Sequence, residues 1–457
     1  MAIVAPFSGL RYNTAKISRL EEVVTPPYDV INLQVQQELL QKNPYSMIKL
    51  DLSKNIEPGG MTDERYTNSR KVLEEWQGQG ILIREEQPVI YLYYIDYNHP
   101  SRGRLTRKGL ICLTGLAEFS EGIVKPHEQF FRNVVSDRLR LLDTCRTQFS
   151  QVFSVYPDRE NQVIRVLEKG REPEPLCSCE DQDGCRHTLW RVSERAAIAE
   201  AQELFVDKCL YIADGHHRYN TALQMRELMV ERRGELAEDS PFNFIMMYLC
   251  AIEDPGLSVL PTHRLVRLAE TSADELLAGL TPGFEIEEIE GGTREVLLSE
   301  ALARMEEKRD LGNVFGLYHP GEDRCFLLIG KAGIMREAGF GEMPAPLREL
   351  DVVVLSELII GKYLGLDLDR CEDDNLVDYF SDPDDALDRA VKESGEPGRT
   401  SVIFLMNNTE VDQVKKVSDA ELVMPHKSTY FYPKILTGLV MNPMVEGEKV
   451  DLRILRT

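Results

Sequence analysis

Two hydrophobic periods alternate along this chain and predict a mixed α/β protein. The stretch Val89-Ile90-Tyr91-Leu92-Tyr93-Tyr94-Ile95-Asp96-Tyr97 is β-branched and aromatic; it turns through Asn98-His99-Pro100-Ser101-Arg102-Gly103 and returns over Arg107 to Phe119. Such a pattern predicts an antiparallel hairpin. Shorter apolar runs predict strands at Met47 to Leu52, Gln151 to Tyr156, Thr188 to Ser193, Lys208 to Ala213, Phe242 to Ile252 and Ser401 to Met406. Helical spacing predicts helices at Leu33 to Lys42, Arg65 to Gln79, from Ser136 onward, Glu194 to Phe205 and Tyr219 to Arg233. From about Leu268 the texture changes. Acidic helices at Ser272 to Leu280 and Arg294 to Lys308 flank a hairpin, Asn313 to Leu317 and Cys325 to Ile329. An apolar helix follows at Asp351 to Leu364, then a solvated one at Ser381 to Glu393. Thr409 and Asp412 have the spacing of a capping box opening a further helix. The expected division is an α/β core over 1–267, an inserted α+β subdomain over 268–345, and a C-terminal segment over 346–457 that returns to the core.

Leu210-Tyr211-Ile212-Ala213-Asp214-Gly215-His216-His217-Arg218-Tyr219-Asn220-Thr221-Ala222-Leu223 joins a buried strand to a helix by a tight turn. Gly215 tolerates a sharp turn and lets a ligand approach the backbone. His216, His217 and Arg218 fall in the first helical turn, where N–H groups lack partners and the dipole is positive. A cation there is out of place unless it shares an anion with the turn. Asp214, at the strand end, is a candidate proton acceptor or metal holder. Set against this, Asp214 is also a good N-cap beside solvated histidines. The N-cap accounts for the aspartate and leaves the cluster of two histidines and an arginine unexplained.

Other polar clusters carry paired readings. Thr25-Pro26-Pro27-Tyr28-Asp29-Val30-Ile31 cannot be helical; it suits a site wall presenting Tyr28 and Asp29, or a rigid connector. Lys125-Pro126-His127-Glu128 supplies a general base, His127, with Glu128 to orient it, or two surface-loop residues; Asp137 and Arg138 support that pair or begin a helix. Met424 to Lys434 crowds Lys427, Ser428, Thr429, Tyr430, Tyr432 and Lys434 into eleven residues, as a phosphate and base site or as a lysine-protected edge strand. The turn before Thr262 brings His263 and Arg264 toward the same rim. Cys177, Cys179, Cys185 and His187 offer four soft ligands in an acidic loop, at a spacing unlike common zinc modules.

Three stretches together carry a resemblance: D-G-H-H-R-Y-N-T-A-L from Asp214, T-P-P-Y-D-V-I from Thr25, and M-P-H-K-S-T-Y-F-Y-P-K from Met424. They resemble the prokaryotic family known as domain of unknown function 1015, over nearly the whole chain. The D-G-H-H-R turn more distantly resembles the ParB/sulfiredoxin superfamily, which includes ParB nucleotide switches, sulfiredoxin and a free-serine kinase. That likeness implies a ParB/sulfiredoxin-like core in which the turn after a strand holds nucleotide phosphate. Sulfiredoxin carries a cysteine in its turn where this chain has histidines, so sulfinic-acid repair is not expected.

Composition narrows the function further. The chain has 457 residues, 43% of them hydrophobic, and a formal net charge of −23. That is enough for two or three domains, and its acidity argues against nucleic acid as a partner. No run of apolar residues is long enough to span a membrane. The first ten residues lack the pattern of a signal peptide, so the expected location is the cytoplasm. Nine cysteines spread through the chain are expected to stay reduced there. Neither a Walker A nor a G-x-G-x-x-G sequence occurs. The expected function is a nucleotide-dependent phosphotransferase or phosphohydrolase acting on a small hydroxylated metabolite. Mg²⁺ is the expected metal; zinc is not expected. Arg218, Lys427 and Lys434 would neutralise charge, and Asp214, His127 or Glu128 would take the hydroxyl proton. A ParB-like nucleotide-gated regulator is the alternative. A zinc hydrolase built on the cysteine cluster is a third reading.

Overall fold

The computed structural model describes residues 1–52, 64–128, 132–368, 371, 375–394, 397–425 and 427–452. The chain divides into two compact units: Met1–Pro126, Phe130–Ser258 and Pro433–Thr457 form the first, His127–Gln129 and Val259–Tyr432 the second.

The first unit is built on a nine-stranded mixed sheet. Its strands are β1 (Val4–Ala5), β2 (Ile90–His99), β3 (Gly103–Gly115), β4 (Val124–Lys125), β5 (Val152–Tyr156), β6 (Cys177–Glu180), β7 (Arg186–Val192), β8 (Leu210–Asp214) and β9 (Phe244–Ala251). They lie in the order β4-β8-β5-β9-β3-β2-β7-β6, with β1 pairing on β3. The expected hairpin is β2 and β3, antiparallel from Tyr91 opposite Ile111 to His99 opposite Gly103. The pairs β5–β9 and β4–β8 are parallel. Helices α1 (Leu33–Lys42), α2 (Glu64–Gly78), α3 (Arg132–Cys145), α4 (Gln162–Lys169), α5 (Arg195–Phe205) and α6 (His216–Arg233) complete the unit. On one face of the sheet, Ile90, Leu92, Leu110, Cys112, Val152, Ile212 and Met247 pack with Val163 and Leu167 of α4, Ile198 and Phe205 of α5, and Tyr219 and Leu223 of α6. Burying such an apolar stripe, not intrinsic propensity, is what holds helices of this length.

Several expectations are corrected here. Met47 to Leu52 contains a helical turn, Ile48–Asp51, rather than a strand. Met47, Ile48 and Leu50 are all fully buried, and a short run buried on every side has no period to separate helix from strand. The helix expected from Ser136 begins at Arg132, because the buried face already includes Val135. The cysteine-rich stretch read as a loop is the β6–β7 hairpin, with His187 opposite Cys179 and Leu189 opposite Cys177.

The second unit carries a six-stranded sheet. Strands β10 (His263–Ala269), β11 (Phe284–Ile289), β12 (Val314–His319), β13 (Arg324–Gly330), β14 (Val377–Phe380) and β15 (Arg399–Met406) run in the order β11-β13-β12-β15-β10-β14. Segment 268–345 thus shares one sheet with strands before and after it. Helices α7 (Ala273–Leu280), α8 (Arg294–Glu307), α9 (Pro383–Glu393) and α10 (Val411–Asp419) belong to this unit, and Leu297, Leu298, Ala301 and Met305 of α8 with Ala386 and Leu387 of α9 cover Leu265, Val314, Leu327 and Ile403. The capping box of α10 is one residue later than expected, between Glu410 and Gln413, while Thr409 Oγ1 donates to the Ser428 carbonyl. Among the described residues no helix is long and apolar enough to cross a membrane.

Candidate active site

Strand β8 ends in an irregularity that aims its last side chain. Ile212 pairs with Ser154, yet Asp214 pairs with Phe153, so one residue of β8 is extra at Ala213. Strict alternation would put Asp214 on the side of Ile212, in the helix-covered core. A bulge re-aims the side chains beyond it, so Asp214 shares the opposite face with Phe153. Gly215 follows with φ 97°, and α6 starts at His216. A Cβ on Gly215 would lie 2.8 Å from Arg218 Nε and 2.9 Å from its Cζ. Arg218 therefore folds back over bare backbone, a position only glycine leaves open.

That fold-back brings two cations onto one carboxylate. Arg218 Nη2 donates to Asp214 Oδ1 at 3.1 Å, and Lys434 Nζ donates to Oδ2 at 2.9 Å. Arg218 Nη1 also donates to the Gln151 carbonyl. All three charged side chains are nearly buried, at 11%, 12% and 19% exposure for Arg218, Asp214 and Lys434. Burial alone would raise the Asp214 pKa; Lys434 and Arg218 overcome it and hold the carboxyl well below the ordinary range. Asp214 is not an N-cap, since Gly215 occupies that position and no side chain caps α6. Buried His216 opens the helix and adds to the positive field on Asp214; His217 follows it and is half-buried.

Asp29 sits on one 3-10 helical turn, Tyr28–Val30, directly after Pro26-Pro27; the prolines precede the turn and so do not exclude it, contrary to the expectation of a non-helical stretch. It is open to solvent yet crowded by protein. That crowding and the Asp214 charge push its pKa up, while Arg218 and Lys434 oppose. Two carboxyl groups within electrostatic reach are thus driven apart, a pattern that separates an acid–base group from a fixed anion. Tyr28 stacks under Arg138, whose Cζ lies 4.4 Å from the ring centroid. Arg138 donates to Asp51 Oδ1 at 2.7 Å and to Asp137 Oδ2 at 2.8 Å, and Arg65 also pairs with Asp137. A cleft with about 480 Å³ of empty space, part of it open to solvent, is lined by Tyr28, Asp51, Arg138, Phe149, Arg218 and Thr221 among others. Sequence reasoning named Tyr28, Asp29, Asp214, Arg218 and Lys434 as site residues, and read Arg138 only as a support for His127 and Glu128 or as a helix start. It missed Asp51, Arg65 and Gln151, whose roles come from elements far apart in the chain.

His127, Glu128, His263, Lys427, Ser428, Thr429, Tyr430 and Tyr432 belong to the second unit, and His426 lies outside the described residues, as do Gln129 to Phe131. There His127 Nε2 meets Thr429 Oγ1 at 3.1 Å and Glu128 at 3.9 Å. His263 does not stand at a rim: it starts β10, is 1% exposed, and accepts the Met406 amide at Nδ1. Burial, then Arg264, push its pKa down to about 3. Arg264 and Lys427 lie over the same Tyr379 ring, 4.3 and 4.6 Å from its centroid. Ser428 Oγ donates to the Pro425 carbonyl, and Tyr430 stacks with Tyr432.

The residues expected to hold a metal ion are engaged with protein partners. His187 spends both ring nitrogens, Nδ1 on the Tyr93 hydroxyl at 2.7 Å and Nε2 on Asp181 at 2.8 Å, and Cys177, Cys179 and Cys185 are unbridged. Asp214, the expected holder of Mg²⁺, has a cation on each oxygen. Among the described residues no three His, Cys, Asp or Glu side chains converge as a metal site.

The model of the family described as "Protein of unknown function (DUF1015)" matches residues 4–353. No curated protein sequence matches the chain. Among solved structures, the chain is similar to a free serine kinase in complex with AMP, at 13% identity and TM-score 0.32, covering 72% of this chain and 92% of that one. It is similar to a conserved hypothetical protein from Pyrococcus furiosus, at 13% identity and TM-score 0.32, covering 72% and 95%. It is also similar to SbnI with C-terminal truncation from Staphylococcus aureus, at 9% identity and TM-score 0.33, covering 75% and 92%.

Proposed function

We propose that this chain, which belongs to the DUF1015 family, binds a nucleotide polyphosphate at the 214–218 turn and transfers its terminal phosphoryl group to a small hydroxylated acceptor. The observation that carries this reading is the pair of buried cations, Arg218 and Lys434, gathered on Asp214 at the start of α6 beside a carboxyl group with a raised pKa. Phosphoryl transfer asks a protein mainly to position its reactants and to neutralise charge. Arg218 and the first-turn amides of α6 supply a donor array for phosphate oxygens. The cleft beside Arg218 opens to solvent, and Tyr28 and Phe149 are among the residues that line it.

Asp214 is a positioning residue in this scheme. Its depressed pKa makes it a poor proton acceptor at neutral pH, but it holds Arg218 and Lys434 ready. Asp29 takes the proton. The acceptor hydroxyl oxygen attacks the terminal phosphorus and a new O–P bond forms. The bridging P–O bond breaks, its electron pair leaves on the nucleoside phosphate oxygen, and the hydroxyl proton passes to the Asp29 carboxylate. With water as acceptor the same steps give hydrolysis.

The test is calorimetric titration of the full chain with ATP and with ADP, with and without MgCl₂, followed by phosphate release from ATP. Asp29→Asn should keep ADP affinity and lose most phosphate release. A wild-type chain that binds neither nucleotide overturns the proposal. Binding without turnover, equal in wild type and Asp29→Asn, would favour the nucleotide-gated regulator.

A further inference from the structure

Arg107 on β3 is fully buried, and its Nε, Nη1 and Nη2 all lack a hydrogen-bond partner among the described residues. Its guanidinium lies 4.8 Å from the Phe153 ring centroid and 5.3 Å from that of Tyr248. Rings attract a cation by their faces, but they accept none of its N–H groups in the manner of an oxygen. The Tyr248 hydroxyl, with no other partner among the described residues, is within reach of the guanidinium as a neutral dipole and brings no charge to balance it. Asp254 acts on Arg107 only through space, since its Oδ1 takes the amides of Gly256 and Lys108. A guanidinium keeps its charge, so an unmatched one in the interior is strongly unfavourable and calls for an anion. Gly109, two residues along the same face of β3, is where a Cβ would meet the Tyr248 ring at 2.4 Å, so glycine is what lets that ring settle beside Arg107.

The register ties this arginine to the phosphate turn. Phe153 pairs with Asp214 on one side and with Tyr248 on the other. Asp214 and Tyr248 are therefore two strand spacings apart, roughly 10 Å, with the Arg107 head over the ring between them. The same stretch holds Gln151, whose backbone carbonyl takes Arg218 and whose buried Oε1 has no donor among the described residues. Residues 434–436 cross this face, bonded to Asp214, to the Gln151 amide and to the Tyr93 hydroxyl.

We propose that Arg107 seats the carboxylate of the phosphoryl acceptor, so that the substrate class is a small hydroxy acid. Gln151 Oε1 is an acceptor for its hydroxyl or amine hydrogens. The inference rests on the phosphoryl-transfer reading for the hydroxyl and on Arg107 alone for the acid. A planar monoanion matches one bidentate fork between two rings; a phosphate dianion would bring a second charge to a seat with one cation.

The probes are glycerate, lactate and serine, with glycerol as the same scaffold lacking a carboxylate, and ADP as an independent ligand. Thermal shift and titration use the full chain. At least one acid should raise the melting temperature of wild type where glycerol does not, and Arg107→Met should weaken that acid at least tenfold while keeping its ADP response. Arg107→Lys keeps the charge, loses the fork, and should fall between; it serves if Arg107→Met does not fold. No response of wild type to any of the three acids, an equal response to glycerate and glycerol, or unchanged acid affinity in either variant overturns the inference. An acid response without any ADP response leaves the seat standing and removes the nucleotide reading.

Discussion

Lys434 reaches back 220 positions to put its ammonium 2.9 Å from Oδ2 of Asp214. The other oxygen of that carboxylate already faces Arg218 at 3.1 Å, so the lysine is a second cation on a group that has one. If this arrangement readies two cations for phosphate, Lys434→Met should spare the fold and weaken ADP. Asp214 would keep Arg218, and the loss should be about 10- to 100-fold in Kd, or ~1.4 to 3 kcal/mol. Titration calorimetry reads it directly. Unchanged ADP affinity would mean that the lysine serves only to fasten its own segment.

Arg218→Ala should abolish measurable ADP binding, while Arg232→Ala should leave it nearly unchanged. Both arginines lie on α6. Arg218 is nearly buried in the first turn; Arg232 is half-exposed and paired with Asp143 at 2.7 Å. They are roughly 21 Å apart along the axis at about 1.5 Å per residue. Loss of a charge-assisted contact in a dry pocket costs on the order of 2–5 kcal/mol. Equal losses in the two variants would mean that the general field of the protein, not this turn, binds the anion.

What the sequence made legible is the local part of the site. A strand of Leu, Tyr and Ile running into Asp-Gly and then His-His-Arg marks a strand–turn–helix, and Pro26-Pro27 marks the stiff backbone directly before Tyr28 and Asp29. The face on which Asp214 emerges was not legible, because it depends on the extra residue at Ala213, and a bulge follows from pairing with β5 rather than from β8 alone. Arg107 was hidden for a related reason. It sits in a strand whose alternation reads as ordinary, and only the approach of Phe153 and Tyr248 from two other strands seals it. The burial of His263 was not legible either, because it comes from the chain entering β10 directly at that residue.

The pH dependence of stability should carry the mark of Asp214. Its folded pKa lies below the unfolded value of about 3.9, so its contribution is fully present above that value and is lost as pH falls toward the folded pKa. Each unit of depression corresponds to about 1.4 kcal/mol. Wild type should therefore lose melting temperature more steeply than Asp214→Asn on acidification below about pH 4. Parallel curves for the two proteins would count against a strongly held carboxylate.

Asp254 should behave in the opposite sense. Burial raises its pKa to about 6, with the Gly256 and Lys108 amides opposing. A carboxyl raised in the folded state stabilises fully below its unfolded pKa and loses that contribution as pH rises through about 6. Asp254→Asn keeps an oxygen for the two amides and removes the charge. It should match wild type near pH 4 and exceed it near pH 8 by up to about 3 kcal/mol, read from urea melts at the two pH values.

Gly215→Ala separates backbone strain from the loss of Arg218. Gly215 has φ 97°, and an alanine there meets two penalties. One is the left-handed backbone, which costs a residue with Cβ roughly 1–2 kcal/mol. The other is its Cβ, placed 2.8 to 3.0 Å from Nε, Cζ and Nη2 of Arg218. The guanidinium must swing away and release Asp214. Gly122 is the control, with φ 68° and nothing within 4 Å of an added Cβ. Gly122→Ala should lose stability by the backbone penalty alone and keep ADP affinity. Gly215→Ala should lose comparable or greater stability and, in addition, most of its ADP affinity by titration calorimetry. If both variants bind ADP as wild type does, the fold-back of Arg218 over Gly215 has no part in holding the nucleotide.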